Sequence, residues 1–175
     1  MVSADSAGKS REEVRDGIIA HCQNLFDTFD SIEAVNEYTS DKYEGLRVKQ
    51  FLENDLMVTL SMGKIPELTL EKHKEFRDNL PEKNKLMNSE VEIEELGEVD
   101  GIKARMTTIK MPMMVSNRTV INLFHEKEDG DSLWVVNTSV GNEALYEEHK
   151  KKVGKNVIAI NHYNCGKLTP YDGGL

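Results

Sequence analysis

His162 and Cys165, three residues apart, carry the two parts of a nucleophilic pair, an imidazole that can take a proton and a thiol that can give one up. The pair falls near a strand end, where alternation does not oblige the side chains to face each other, and an ordinary buried histidine and thiol account for both. The five histidines, His21, His73, His125, His149 and His162, are scattered, and none has HxH or HExxH spacing. GxSxG, a P-loop and GxGxxG are all absent, and Gly173-Gly174 reads as a turn. No catalytic residue, metal site or cofactor is expected.

The methionines point to binding instead. Met57, Met62, Met87, Met106, Met111, Met113 and Met114 are seven of the eight in the chain, and all follow the first helical pattern. Methionine adapts its shape and suits a cavity for a flexible apolar ligand, although in strands it also serves as core filler. Met111-Pro112-Met113-Met114 is the more telling group, because it sits where a strand pattern stops and a loop should be polar.

With 175 residues the chain makes one domain, long enough to bury about 70% of its unfolded surface. The formal charge of −9 and a single tight basic run, Lys150 to Lys152, count against nucleic acid as a partner. Two cysteines without CxxC predict reduced thiols, and an early Asp5 with no apolar leader predicts a cytoplasmic protein without a secretory signal. Apolar runs stop at four or five residues, far short of the ~20 of a membrane span.

Around these residues the chain reads as follows. Residues 1–9 are expected to form a flexible tail, and a single folded domain is expected over 10–175. Ser10 and Glu13 make a capping box for a helix whose stripe is Val14, Ile18, Cys22, Leu25, Phe26 and Phe29. The period changes to two over Leu46–Leu52 and Leu56–Met62, a hairpin turned at Glu53-Asn54-Asp55. Thr69 caps a short helix stopped by Pro81, followed by an irregular turn through Leu86. Glu90 to Thr108 is a second hairpin turned at Asp100-Gly101, its glutamates forming the solvent face. Further strands are expected at 119–125, 132–139 and 156–163, with a long connection over 141–152. Helix, strands, helix, strands implies an α+β fold with an antiparallel sheet.

The segment Pro112-Met113-Met114-Val115-Ser116-Asn117-Arg118-Thr119-Val120 resembles the proline, apolar, V-S-x-R-D-F/V stretch of START domains, the lipid-transfer branch of the helix-grip superfamily. Compatible spacing extends over residues 85 to 170, and residues 10 to 84 agree in element order. The resemblance implies a helix-grip fold, a curved antiparallel β-sheet wrapped around helices with an internal apolar cavity. It also implies non-enzymatic binding and transfer of a lipid or other hydrophobic ligand, with transient membrane contact. The family's aspartate after the motif arginine is Thr119 here, and its tryptophan-aspartate pair is absent from Pro81–Lys85. Phe124 stands where sterol-binding members often carry an arginine, and Arg105 near the expected acid. The family's last strand and long C-terminal helix are not found before Leu175, so the domain is expected to be C-terminally incomplete, with a protein partner or dimer completing it.

Met106, Thr108, Asn122, Phe124, Val135, Asn137, Ile158 and His162 are the expected ligand-binding residues, and Met111, Met113 and Met114 the gate and membrane loop. Two other readings stay open, a protein-interaction module using an open grip groove and an enzyme of the cyclase or hydrolase type with His162 as acid or base.

Overall fold

The computed structural model describes residues 8–175; of the tail expected over 1–9, residues 1–7 lie outside the described residues. Helix α1 (Arg11–Asp27) begins at the capping box. Ser10 Oγ accepts from the Glu13 amide at 3.2 Å, and the Ser10 amide donates to Glu13 Oε2 at 2.7 Å. The stripe read from spacing is the buried one, Val14, Ile18, Cys22 and Leu25, continued by Phe29 in a 3-10 turn.

Strands β1 (Asn36–Thr39), β2 (Arg47–Glu53) and β3 (Leu56–Met62) form a three-stranded antiparallel sheet. Asn54 and Asp55 both have left-handed φ, which the two-residue hairpin turn requires. The inward face of β2 carries Lys49 and Phe51. The Lys49 ammonium is held at the carbonyls of Ile32 (3.0 Å) and Asp30 (3.3 Å), so its burial leaves no donor stranded.

Helices α2 (Leu70–Asp78) and α3 (Leu80–Met87) follow. Thr69 caps α2 as expected, accepting from the Lys72 amide at 3.2 Å. The break comes at Asn79, earlier than Pro81, and the irregular turn is a second helix. Pro81 sits in its first turn, where a missing N–H has no helical partner to lose.

The second sheet contains β4 (Val91–Val99), β5 (Ile102–Ile109), β6 (Arg118–Asp129) and β7 (Ser132–Thr138). After β7 come α4 (Glu143–Glu148) and α5 (Lys150–Val153), then β8 (Val157–Ile158) and β9 (Asn164–Leu168). The order is β4-β5-β6-β7-β9, antiparallel throughout, with β8 parallel to the start of β6. Of the strand expected over 156–163, only Val157–Ile158 is one; 159–163 is a crossing, and the next strand, β9, begins just beyond it at Asn164. β8 occupies the part of β6 that β7 does not reach, and the chain must then pass the end of β7 to reach its far edge. Asn161 makes that passage, its carbonyl accepting from the Ser139 amide at 2.9 Å and its amide donating to Ser139 Oγ at 2.8 Å.

The architecture is α+β, as the element order implied, with the strands in two sheets that do not close on each other. One face of the larger sheet is the core. Val14, Ile18 and Cys22 of α1 pack on Trp134 and Val136, and Leu145 and Val153 pack on Ala104, Met106, Ile121 and Leu123. A third cluster joins Leu25 and Phe29 to Phe51 and Leu60 of the smaller sheet. Among the described residues no helix is long and apolar enough to cross a membrane.

Candidate ligand-binding site

Strand alternation divides the expected ligand-binding residues. Arg105, Asn122, Phe124, Val135 and Asn137 fall on one face of the larger sheet with Gly166 and Leu168; Met106 and Thr108 fall on the other. Met106 is buried in the core, and Thr108 Oγ1 lies 3.2 Å from Thr119 Oγ1. Those two line a separate recess with Lys85, Glu92 and Glu94. Ile158 is exposed on β8 beside the start of β6, and His162 lies in the crossing between β8 and β9.

The face bearing Phe124 is roofed by α2. A cavity of about 270 Å³ lies beneath it, with His73 and Phe76 of α2 and Leu80 at the start of α3 above and Phe124, Val135 and Leu168 below. Helix α2 buries none of its residues. It is tied down at its C-terminal end by charge: Arg105 Nη2 donates to the Arg77 carbonyl at 2.9 Å, Lys103 Nζ meets Asp78 Oδ1 at 2.6 Å, and Arg77 pairs with Glu126. The helix is a lid with a polar fastening and an apolar underside.

Beside the cavity Asn161 Nδ2 reaches Asn137 Oδ1 at 2.8 Å and Asn122 Oδ1 at 3.0 Å. The three amides converge on this face. Asn164 lines both the cavity and a larger groove of about 500 Å³ that runs between the two sheets. Leu25 and Phe26 of α1 line this groove with Leu56 to Leu60 of β3 and the segment from Ile160 to Cys165. His162 belongs to it, with Nδ1 buried and without a hydrogen-bond partner among the described residues.

The candidate catalytic pair is not assembled. No hydrogen bond joins His162 to Cys165 among the described residues; the Cys165 thiol lies instead against Cys22, whose hydrogen bond, together with burial, pushes it above the usual thiol range. That is the opposite of what a nucleophile needs. Tyr163 is likewise raised, by burial and then by the Glu53 carboxylate. Its hydroxyl donates to Glu53 Oε2 at 3.0 Å, and Glu53 Oε1 lies 3.0 Å from His21 Nε2, a polar tie joining α1, β2 and the approach to β9.

The loop between β5 and β6 carries the expected gate. Met113 is 93% and Met114 100% exposed, whereas Met111 is half-buried and donates its amide to Asn117 Oδ1 at 3.1 Å. The Val157 amide bonds the Asn117 carbonyl and the Lys110 amide bonds Glu90, which brings β8 and the end of α3 to the same end of the sheet. Leu86, Met87, Val157, Ile158 and Ile160 are exposed there as well.

Sequence reasoning missed the lid residues. Thr69 and Pro81 mark a short helix in the sequence, but neither says that the side of it bearing His73 and Phe76 covers a sheet face without entering it. Neither a scan against protein-family models nor a search of curated proteins returns a match to this chain.

Proposed function

We propose that the protein binds a lipid or other hydrophobic ligand without catalysis, in the space beneath α2, as a START-like carrier of the cytoplasm that touches membranes transiently through Met113 and Met114. One observation carries the reading: an apolar cavity of about 270 Å³ beneath a helix that buries no residue of its own. Apolar surface is worth roughly 25 cal/mol per Å² when removed from water, and the walls offered by Phe76, Leu80, Phe124, Val135 and Leu168 are of that kind. The adjoining groove supports a ligand longer than the cavity alone would hold. The exposed methionines support loading at a membrane surface, and the charge of −9 favours brief contact over stable attachment. Native mass spectrometry of the purified protein, followed by organic extraction, tests the proposal. A stoichiometric lipid is the expected result; an empty protein that also takes up no fluorescent lipid would remove it.

A second reading, a partner-binding module, draws on a different observation. Among the described residues β3 pairs only with β2 and β9 only with β7, and the free edges of both border the 500 Å³ groove. Leu175 exchanges backbone hydrogen bonds with Ile65 just beyond β3, at 2.6 and 3.2 Å. An extended partner segment would find unpaired backbone on both sides.

A further inference from the structure

Beyond the cavity under α2 lies a second recess of about 530 Å³, continuous with it in that Arg77 and Phe124 line both. Arg105 projects from β5 with a side chain only 1% exposed. Its Nε donates to Glu95 Oε1 at 2.6 Å and its Nη2 to the Arg77 carbonyl at 2.9 Å, and its guanidinium lies over the Phe124 ring at 4.8 Å. Its Nη1 is buried and has no hydrogen-bond partner among the described residues, and the same holds for Arg77 Nη1. A buried guanidinium and a part-buried one thus each keep an inward donor unspent.

Such donors are costly. A guanidinium cannot shed its proton to escape burial, and an unmet charged donor forfeits more than a neutral one. Burial lowers the pKa of Arg77; the Asp78 carboxylate opposes the shift, and the Arg105 charge adds to it more weakly. Each guanidinium has one carboxylate partner, Glu95 for Arg105 and Glu126 for Arg77, reached through its other nitrogens, so the charges are paired while the two Nη1 donors stay unmet. Arg15 and Lys74 line the recess with Glu12 and Glu98, leaving one more cation than carboxylate around it, so recognition here draws on the two unmet donors with only a small positive excess.

We infer that Arg77 and Arg105 form an oxyanion site for the carboxylate head of a single-tailed amphiphile whose hydrocarbon lies beneath α2. The inference rests on the hydrophobic-ligand reading above and adds the head-group chemistry. A carboxylate has two oxygens for two donors, and hydrogen bonds between charged partners are the strong ones. The Phe124 ring is the junction, facing the Arg105 guanidinium at the head end and lining the apolar cavity at the other. The bound head would also brace the lid, because Arg77 belongs to α2 and Arg105 to the sheet.

Calorimetric titration with dodecanoate below its micellar concentration and with dodecanol below its aqueous solubility, both at pH 7.5, compares the same tail with and without the charge. Acetate serves as the head without the tail. Dodecanoate should bind at least about tenfold more tightly than dodecanol, and the difference should collapse in Arg77→Gln and in Arg105→Gln. Arg77→Gln is decisive if Arg105→Gln fails to fold, since its side chain lies nearer the surface. Equal affinity for the two ligands, or a preference that survives Arg77→Gln, would overturn the inference while leaving the carrier reading intact. Binding of neither ligand would remove the carrier reading and this inference with it. Acetate binding as tightly as dodecanoate would assign the site to small free anions and overturn the amphiphile.

Discussion

His125 sits on the core face of β6, buried under the first turns of α1. Burial, with the Arg15 and Arg11 charges adding to it and Glu12 opposing, lowers its pKa to about 4. The unfolded chain takes up a proton near pH 6.5, well before the folded one does. Unfolding is therefore favoured progressively as pH falls from 6.5 towards 4, and the full stability is present above that window. The loss should reach about 2 kcal/mol after allowance for solvent screening, and denaturant midpoints at pH 7 and pH 4.5 measure it. His125→Gln should remove most of the difference. His73 contributes in the same direction, its pKa lowered by burial and by Arg77.

Among the elements, α1 and α2 differ in how they are held. The first buries four side chains against both sheets; the second buries none and depends on Arg105, Lys103 and Glu126 for its place. Amide exchange in α2 should run at least about a hundredfold faster than in the middle of α1, measured by hydrogen-exchange mass spectrometry. Equal protection would remove the lid description. This contrast also marks what the amino-acid order could reveal. Capping at Ser10, the stripe of α1 and the turns at Asn54-Asp55 and Asp100-Gly101 are local, and local chemistry was enough to place them. The crossing at 159–163 was hidden, because it depends on how far β7 runs along β6. Strand alternation could have separated Met106 and Thr108 from Phe124 and Asn137 only with the pairing of β5 and β6 in hand, since the face assigned to a residue depends on register. The burial of Arg105 on β5 follows from α2 lying over it, a long-range contact that spacing does not encode.

For the whole molecule, apolar exposure falls in two groups, one on and beside the smaller sheet (Val35, Tyr38, Leu52, Leu56, Met57 and Met62) and one around the loop between β5 and β6. Met113 and Met114 stand clear of the surface, with Val157, Ile158 and the end of α3 beside them. In the carrier reading the loop end meets the bilayer while the rest of the acidic surface is kept off it. Met113→Asp combined with Met114→Asp should slow lipid transfer from vesicles by about tenfold or more, with the thermal midpoint unchanged because neither side chain packs against anything. Unchanged transfer rates would remove the membrane-loop assignment.

The fastening of α2 has a consequence for how such a carrier would respond to its medium. Lid and cavity are held by forces with opposite salt responses: ionic pairs at the edge and apolar walls beneath. Raising ionic strength from 0.1 M to 1 M shortens the screening length from about 10 Å to about 3 Å, which weakens the partly exposed pairs at Lys103 and Glu126. It leaves apolar partitioning undiminished. Added salt therefore speeds both entry and exit of an uncharged ligand while its affinity stays nearly constant, so the rate of exchange is set by electrolyte and the extent of loading by the hydrocarbon.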